Sequence, residues 1–200
     1  MSRQKRPRKS RTNTEAQAAQ VLAREKRIVP RYYLRIHLEN ARNEYFRVRE
    51  DPHALASWIE DTMRPLLKKV PFHIRPDGSN IAYVSKAALI QAEKLGISKE
   101  SIMSGKYNSE SLTKYDKGHK LLMHEHVVPV KEIIEAIQNP KRFENVDEII
   151  DMMEIALITK NEDHSLSANN FASSRPGGWR KCYRDSGIEI VQIPLQASAI

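Results

Sequence analysis

Leu121-Leu122-Met123-His124-Glu125-His126-Val127-Val128-Pro129 sets two histidines and a glutamate between apolar flanks. A short run of this kind, closed by proline, reads as a strand. A buried strand holds its side chains rigidly, and histidine and glutamate are groups that bind metals or move protons near neutral pH. Packing alone does not call for three of them in succession, so this strand is the candidate site. Alternation puts His124 and His126 on one face and Glu125 on the other. The residues alone leave open whether His124 or Glu125 shares a site with His126.

On the C-terminal side, Val130 to Gln138 and Val146 to Met153 have helical periodicity, the second capped by Asn145. Glu154 to Thr159 reads as a buried strand, and Lys160 to Phe171 as a polar helix or turn carrying His164. Pro176-Gly177-Gly178 breaks the chain before Trp179 to Arg184, and Ile188 to Ile193 is a last strand. On the N-terminal side, Ser98 to Met103 is one helical turn and Ala87 to Leu95 a helix closed by Gly96. Phe72 to Val84 alternates around Pro76-Asp77-Gly78 as a small hairpin would. Asp51-Pro52 has the chemistry of a helix start, and Leu55, Trp58, Ile59, Met63, Leu66 and Leu67 keep one face apolar through Lys69. Tyr32 to Arg47 is a further amphipathic helix with Arg35, Arg42 and Arg47 on its polar side, and another starts at Thr14 and stops before Pro30. The order predicts an α+β fold: a basic arm over 1–13, a mainly helical region with a small hairpin over 14–110 that is expected to position nucleic acid, and a domain over 111–200 that carries the candidate site.

Charge distribution says more than the net value of +8. Met1 to Arg27 holds nine basic and two acidic residues, leaving the rest nearly neutral. Arg3, Lys5, Arg6, Arg8, Lys9 and Arg11 stand among no large apolar side chains, so this stretch is expected to be a flexible arm that contacts phosphates or, alternatively, a solubilising tail. The single cysteine, Cys182, excludes an intrachain disulfide and a cysteine-rich metal site. The basic N-terminus lacks a signal-type apolar core and no stretch is long enough to span a bilayer, so a cytoplasmic protein without a membrane partner is expected. No glycine-rich phosphate loop or dinucleotide fingerprint is present.

Glu125-His126-Val127-Val128-Pro129 resembles the acid-His-Ile-Val-Pro motif that opens the ββα-metal finger of HNH endonucleases. Leu157-Ile158-Thr159-Lys160-Asn161-Glu162-Asp163-His164 is similar to the segment that closes it, where a strand leads into a helix bearing an Asn or His ligand. The two matches cover about a fifth of the chain. The resemblance implies a finger with a helical insertion between its strands, Glu125 as metal ligand, His126 as general base and His164 as the second ligand, with His124 as the alternative ligand if strand alternation governs. It further implies one Mg²⁺ or Mn²⁺ ion and hydrolysis of phosphodiester bonds in DNA, with RNA as the other substrate, as in restriction, homing or phage enzymes. The family's middle position falls at Glu154 or Ile155.

Arg175, Trp179, Arg180, Lys181, Tyr183 and Arg184 form a second basic patch interleaved with aromatics, the composition that phosphate contact and base stacking require. Trp179 and Tyr183, spaced i and i+4, equally fit core anchors for the last strand. His119 reads as a hydrogen-bonded structural residue, and Asp163-His164-Ser165 as a polar helix start rather than a hydrolase triad, since neighbours on a helix diverge. Two other functions compete: a non-catalytic DNA- or RNA-binding protein, and a metal-independent ribonuclease using His124, His126 and His164. The oligomeric state stays open, a homodimer included.

Overall fold

In a computed structural model that describes residues 31–69, 81–105 and 112–195, the histidine-rich segment is the strand β2, Leu122–His126. It forms the edge of a four-stranded sheet of order β2-β3-β1-β4, with β1 at Tyr83–Ser85, β3 at Ile155–Thr159 and β4 at Ile190–Gln192. β2 runs antiparallel to β3, with Glu125 opposite Ala156 and His126 opposite Ile155. β1 is parallel to β3 and antiparallel to β4.

Both edges of β1 are therefore occupied, so Tyr83–Ser85 is not one arm of the expected hairpin; the other arm falls in 70–80, outside the described residues. The same sheet takes a central strand from the segment before residue 110 and its remaining strands from the segment after it. The fold is mixed α+β. The basic arm and the helix expected from Thr14 lie outside the described residues.

Each helix starts for a local reason. α1 spans Arg31–Val48. Asp51 accepts from the N–H groups of His53 and Ala54 and Pro52 stands at N1, which opens α2, Pro52–Ser57. The expected unbroken helix to Lys69 instead widens into a π-turn over Trp58–Met63 before α3, Arg64–Lys69. Arg64 N–H reaches back to Ile59 O just before Pro65, whose ring nitrogen cannot make the regular bond. Ser85 caps α4, Lys86–Lys94, and Ser98 caps α5, Lys99–Met103. α6 is Val130–Gln138, and Asn145 caps α7, Val146–Asp151. Thr159 and Glu162 form a capping box on α8, Lys160–Ala168, and α9 is Trp179–Asp185.

Three apolar clusters hold these elements together. One sheet face, with Val84, Leu122, Ile155 and Leu157, packs on Ala88 and Ala92 of α4 and Ile102 of α5. The opposite face, with Tyr83, Val127, Ala156 and Ile158, packs on Leu166 of α8 and Tyr183 of α9. The third cluster joins Leu34, Leu38, Trp58, Met63 and Leu67 to Ile133, Ile137, Ile149 and Ile150. The helices inserted between β2 and β3 thus supply the apolar surface on which α1 to α3 dock. Arg42 seals that junction by donating to the carbonyls of Ile137, Phe143 and Glu144 at the end of α6 and beyond. Burial lowers the Arg42 pKa from its ordinary value.

Candidate functional site at the edge of β2

β2 keeps its alternation to the end, so Glu125 shares the face of Met123 and Val127 that is covered by α8 and α9, and His124 and His126 share the face of Leu122. The adjacent acid and histidine do not point the same way. They nevertheless border one cleft of about 300 Å³, together with Arg64, Pro129, Val130, Lys131, Ala172 and Ser173. An edge strand makes this feasible, because its unpaired side is reached from both faces.

Glu125 Oε1 accepts a 2.8 Å hydrogen bond from Arg175 Nη2. The Arg175 backbone N–H donates to Glu132 of α6, and its guanidinium lies 5.8 Å from the centroid of the Tyr183 ring. Arg175 Nε and Nη1 are buried with no hydrogen-bond partner among the described residues, which buried polar atoms seldom are. Burial pushes Glu125 up to about 7, against the nearby Arg175 charge; Asp163 pushes the same way as burial and Lys160 the opposite way. Burial also drives the Tyr183 hydroxyl up, with the Glu125 charge adding to it. His126 is pushed down to about 4 by burial, and its Nδ1 is buried with no hydrogen-bond partner among the described residues. Its imidazole is therefore neutral at pH 7.

α6 and α7 lie between β2 and β3 in the chain, and α8 follows β3 directly and packs over the Glu125 face. On that helix it is Asp163 whose charge acts on Glu125, while His164 is exposed. Among the described residues no three His, Cys, Asp or Glu side chains converge as a ready metal cage. Glu154, at the expected middle position, accepts a 2.9 Å hydrogen bond from the Tyr83 hydroxyl.

Comparison with protein-family models, with characterised proteins and with solved structures finds no match to this chain.

The second basic patch divides. Arg175 is buried and paired with Glu125, so it is corrected from a surface phosphate contact to a group inside the fold. Arg180, Lys181 and Arg184 are exposed along α9. Arg180 lies 4.3 Å from the Trp179 ring centroid and 5.4 Å from that of Tyr83, and Lys181 pairs with Asp185 one turn on. Tyr183 is buried in the core and Trp179 half-buried beside it, so the anchoring and the surface-contact readings describe different faces of one helix. Arg3, Lys5, Arg6, Arg8, Lys9 and Arg11 lie outside the described residues. His119 is within 3.0 Å of Thr113 Oγ1, as a structural histidine would be.

Sequence reasoning missed Arg64, Lys131 and Asp163. Nothing in the local sequence brings Arg64 to β2. Lys131 carried a weak signal as the residue two beyond the proline that ends the motif, and Asp163 as an acid in the first turn of the finger helix.

Proposed function

We propose that this chain hydrolyses phosphodiester bonds in DNA with a divalent cation, as the HNH nucleases it resembles in sequence do, from the cleft at the edge of β2. The observation that carries this reading is that Glu125 and His126 border the same cleft with two cationic side chains, Arg64 and Lys131. A neutral imidazole next to a basic wall suits proton abstraction from a water beside a bound phosphate. In this reading Arg64 and Lys131, each paired with an acid one turn away (Glu60 and Glu135), exchange that partner for the scissile phosphate, and His126 takes the proton of the attacking water.

The donors fit a hard cation. Arg175 engages Oε1 of Glu125, which leaves Oε2 for an ion, and Asp163 and His164 extend the set from α8. Mg²⁺ and Mn²⁺ keep several waters and ask for only one or two protein carboxylates plus substrate phosphate, so the lack of a three-residue cage among the described residues is compatible with them. Such an ion, when bound, offsets charge building on the phosphate and on the leaving oxygen. Arg175 then acts as a positioning residue that fixes the Glu125 carboxylate. Incubation with supercoiled plasmid tests the proposal: nicking with Mg²⁺ or Mn²⁺ that stops in EDTA is expected, and no nicking with either ion overturns it.

A second reading is favoured by the Glu125–Arg175 pair itself. A carboxylate already bonded to a buried arginine fits a structural role in a nucleic-acid-binding protein that does not cut. Retention of DNA in a mobility-shift assay without cleavage at any metal concentration would select it. Cleavage of RNA that persists in EDTA would select the metal-independent ribonuclease reading.

A further inference from the structure

The start of β2 borders another cleft, about 440 Å³, between α4 and the N-terminal turn of α8. That volume lies in the range of small-molecule sites, about 300–1,000 Å³. Lys94, Lys120 and Lys160 line it, and none of the three forms an ion pair with a described residue. Its acid, Glu162, is already committed, because one carboxylate oxygen accepts from Thr159 N at 2.8 Å, Thr159 Oγ1 at 2.9 Å and Ser85 Oγ at 2.6 Å. Those donors are neutral and Glu162 keeps its charge, but three lysines against one acid leave the cleft net cationic.

Two large apolar side chains that the described fold leaves exposed line the same cleft: Ile90 is 55% exposed and Leu121 42%. An isolated exposed aliphatic residue needs no explanation. Two in one cleft, beside three lysines, make a floor and a rim of different chemistry. The walls are also held in place. Asp116, which is buried, accepts the backbone N–H groups of Lys120, Leu121 and Leu122 at 3.0, 2.9 and 2.8 Å. Burial alone would raise that carboxyl, but these donors outweigh it and hold its pKa below the ordinary value. Lys160 N–H donates to Leu121 O at 2.9 Å, tying the two walls together.

We propose that this cleft binds a nucleotide unit, with its phosphate among Lys94, Lys120 and Lys160 and the face of its base on Ile90 and Leu121. Several amines around one opening suit a phosphate group, which lysine meets as a point charge. An open apolar floor suits the flat face of a base, whatever its identity, because every base presents one. The cleft lies at the opposite end of β2 from His126, about 17 Å along the strand at roughly 3.3 Å per residue. It is a separate opening, although the Lys160 charge also reaches Glu125, and it binds whether or not the other end of β2 cuts. The nucleotide can come free or as part of a single strand.

Calorimetric titration of the full chain with adenosine 5′-monophosphate, adenosine, inorganic phosphate and a short single-stranded oligonucleotide tests the assignment. The monophosphate or the oligonucleotide should bind, and Lys94→Glu with Lys120→Glu should weaken that binding at least tenfold; both side chains are exposed, and thermal melts check that the fold survives. Ile90→Ser, which removes the apolar contact without adding charge, should weaken the monophosphate and leave inorganic phosphate unchanged. Binding by the monophosphate assigns the site to free nucleotides as well as strands, and binding by the oligonucleotide alone assigns it to strands. Adenosine or inorganic phosphate binding as tightly as the monophosphate would overturn the two-part site, as would no binding of either nucleotide probe or affinities unmoved by the charge reversal.

Discussion

Arg175 Nη2 and Glu125 Oε1 lie 2.8 Å apart, with the arginine side chain only 1% exposed. The pair fastens the segment before α9 to β2, and the Arg175 N–H to Glu132 fastens it to α6. Removing one member of a buried pair strands the other charge, so Arg175→Ala should cost about 3–5 kcal/mol. Arg175→Met with Glu125→Gln should recover much of that loss. Urea unfolding checks it; a single-variant cost within error of zero would show that the pair is not buried in solution.

Glu125 and His126 oppose each other in pH dependence. Burial raises Glu125 from 4.5 to about 7, so its contribution to stability is full below about 4.5 and is lost as pH rises to about 7. Burial lowers His126 from 6.5 to about 4, so its contribution is full above 6.5 and is lost as pH falls to about 4. The two windows nearly cancel. In chelated, metal-free protein, Glu125→Gln should leave stability rising with pH and His126→Gln should leave it falling, each on the order of 1–3 kcal/mol across its window. Parallel urea midpoints for the two variants between pH 4.5 and 7 would contradict this.

His126→Ala is expected to lose cleavage by several orders of magnitude while DNA retention persists, because removing a positioned base affects the chemical step rather than the phosphate contacts. Equal loss of both would assign His126 to folding.

Glu125→Gln and Asp163→Asn should each raise the Mg²⁺ or Mn²⁺ concentration needed for half-maximal nicking, and by more than His164→Ala, since the Asp163 charge acts on Glu125 and His164 is exposed. If His124→Ala has this effect and Glu125→Gln does not, the ion sits on the other face of β2.

Deleting residues 1–12 removes six basic residues and no acid. At about 0.9 per neutralised phosphate, full engagement would contribute roughly 5 units to the slope of log affinity against log salt, and partial engagement about 2 to 5. Cleavage at low salt should survive the deletion. An unchanged salt slope would leave only the solubilising role.

Secondary structure was legible because its causes are local. Asp51-Pro52, Asn145 and Thr159 with Glu162 carry their capping chemistry within four residues, and the apolar runs of β2 and β3 need no partner to be recognised. Even the opposition of Glu125 and His126 followed from the pleat alone. The widened turn ahead of Pro65 had its cause in the sequence but was outweighed by the apolar period around it. Other features depended on elements distant in sequence. That β1 is central, that α1 to α3 dock on the insertion, and that Arg175 leaves the surface for Glu125 are all set by residues 50 or more positions apart. Local chemistry determined which segments are helix and strand and which residues could be reactive. Only tertiary packing decided which of those residues border one cleft, because burial and charge coupling arise between elements whose separation along the chain carries no signal of their contact.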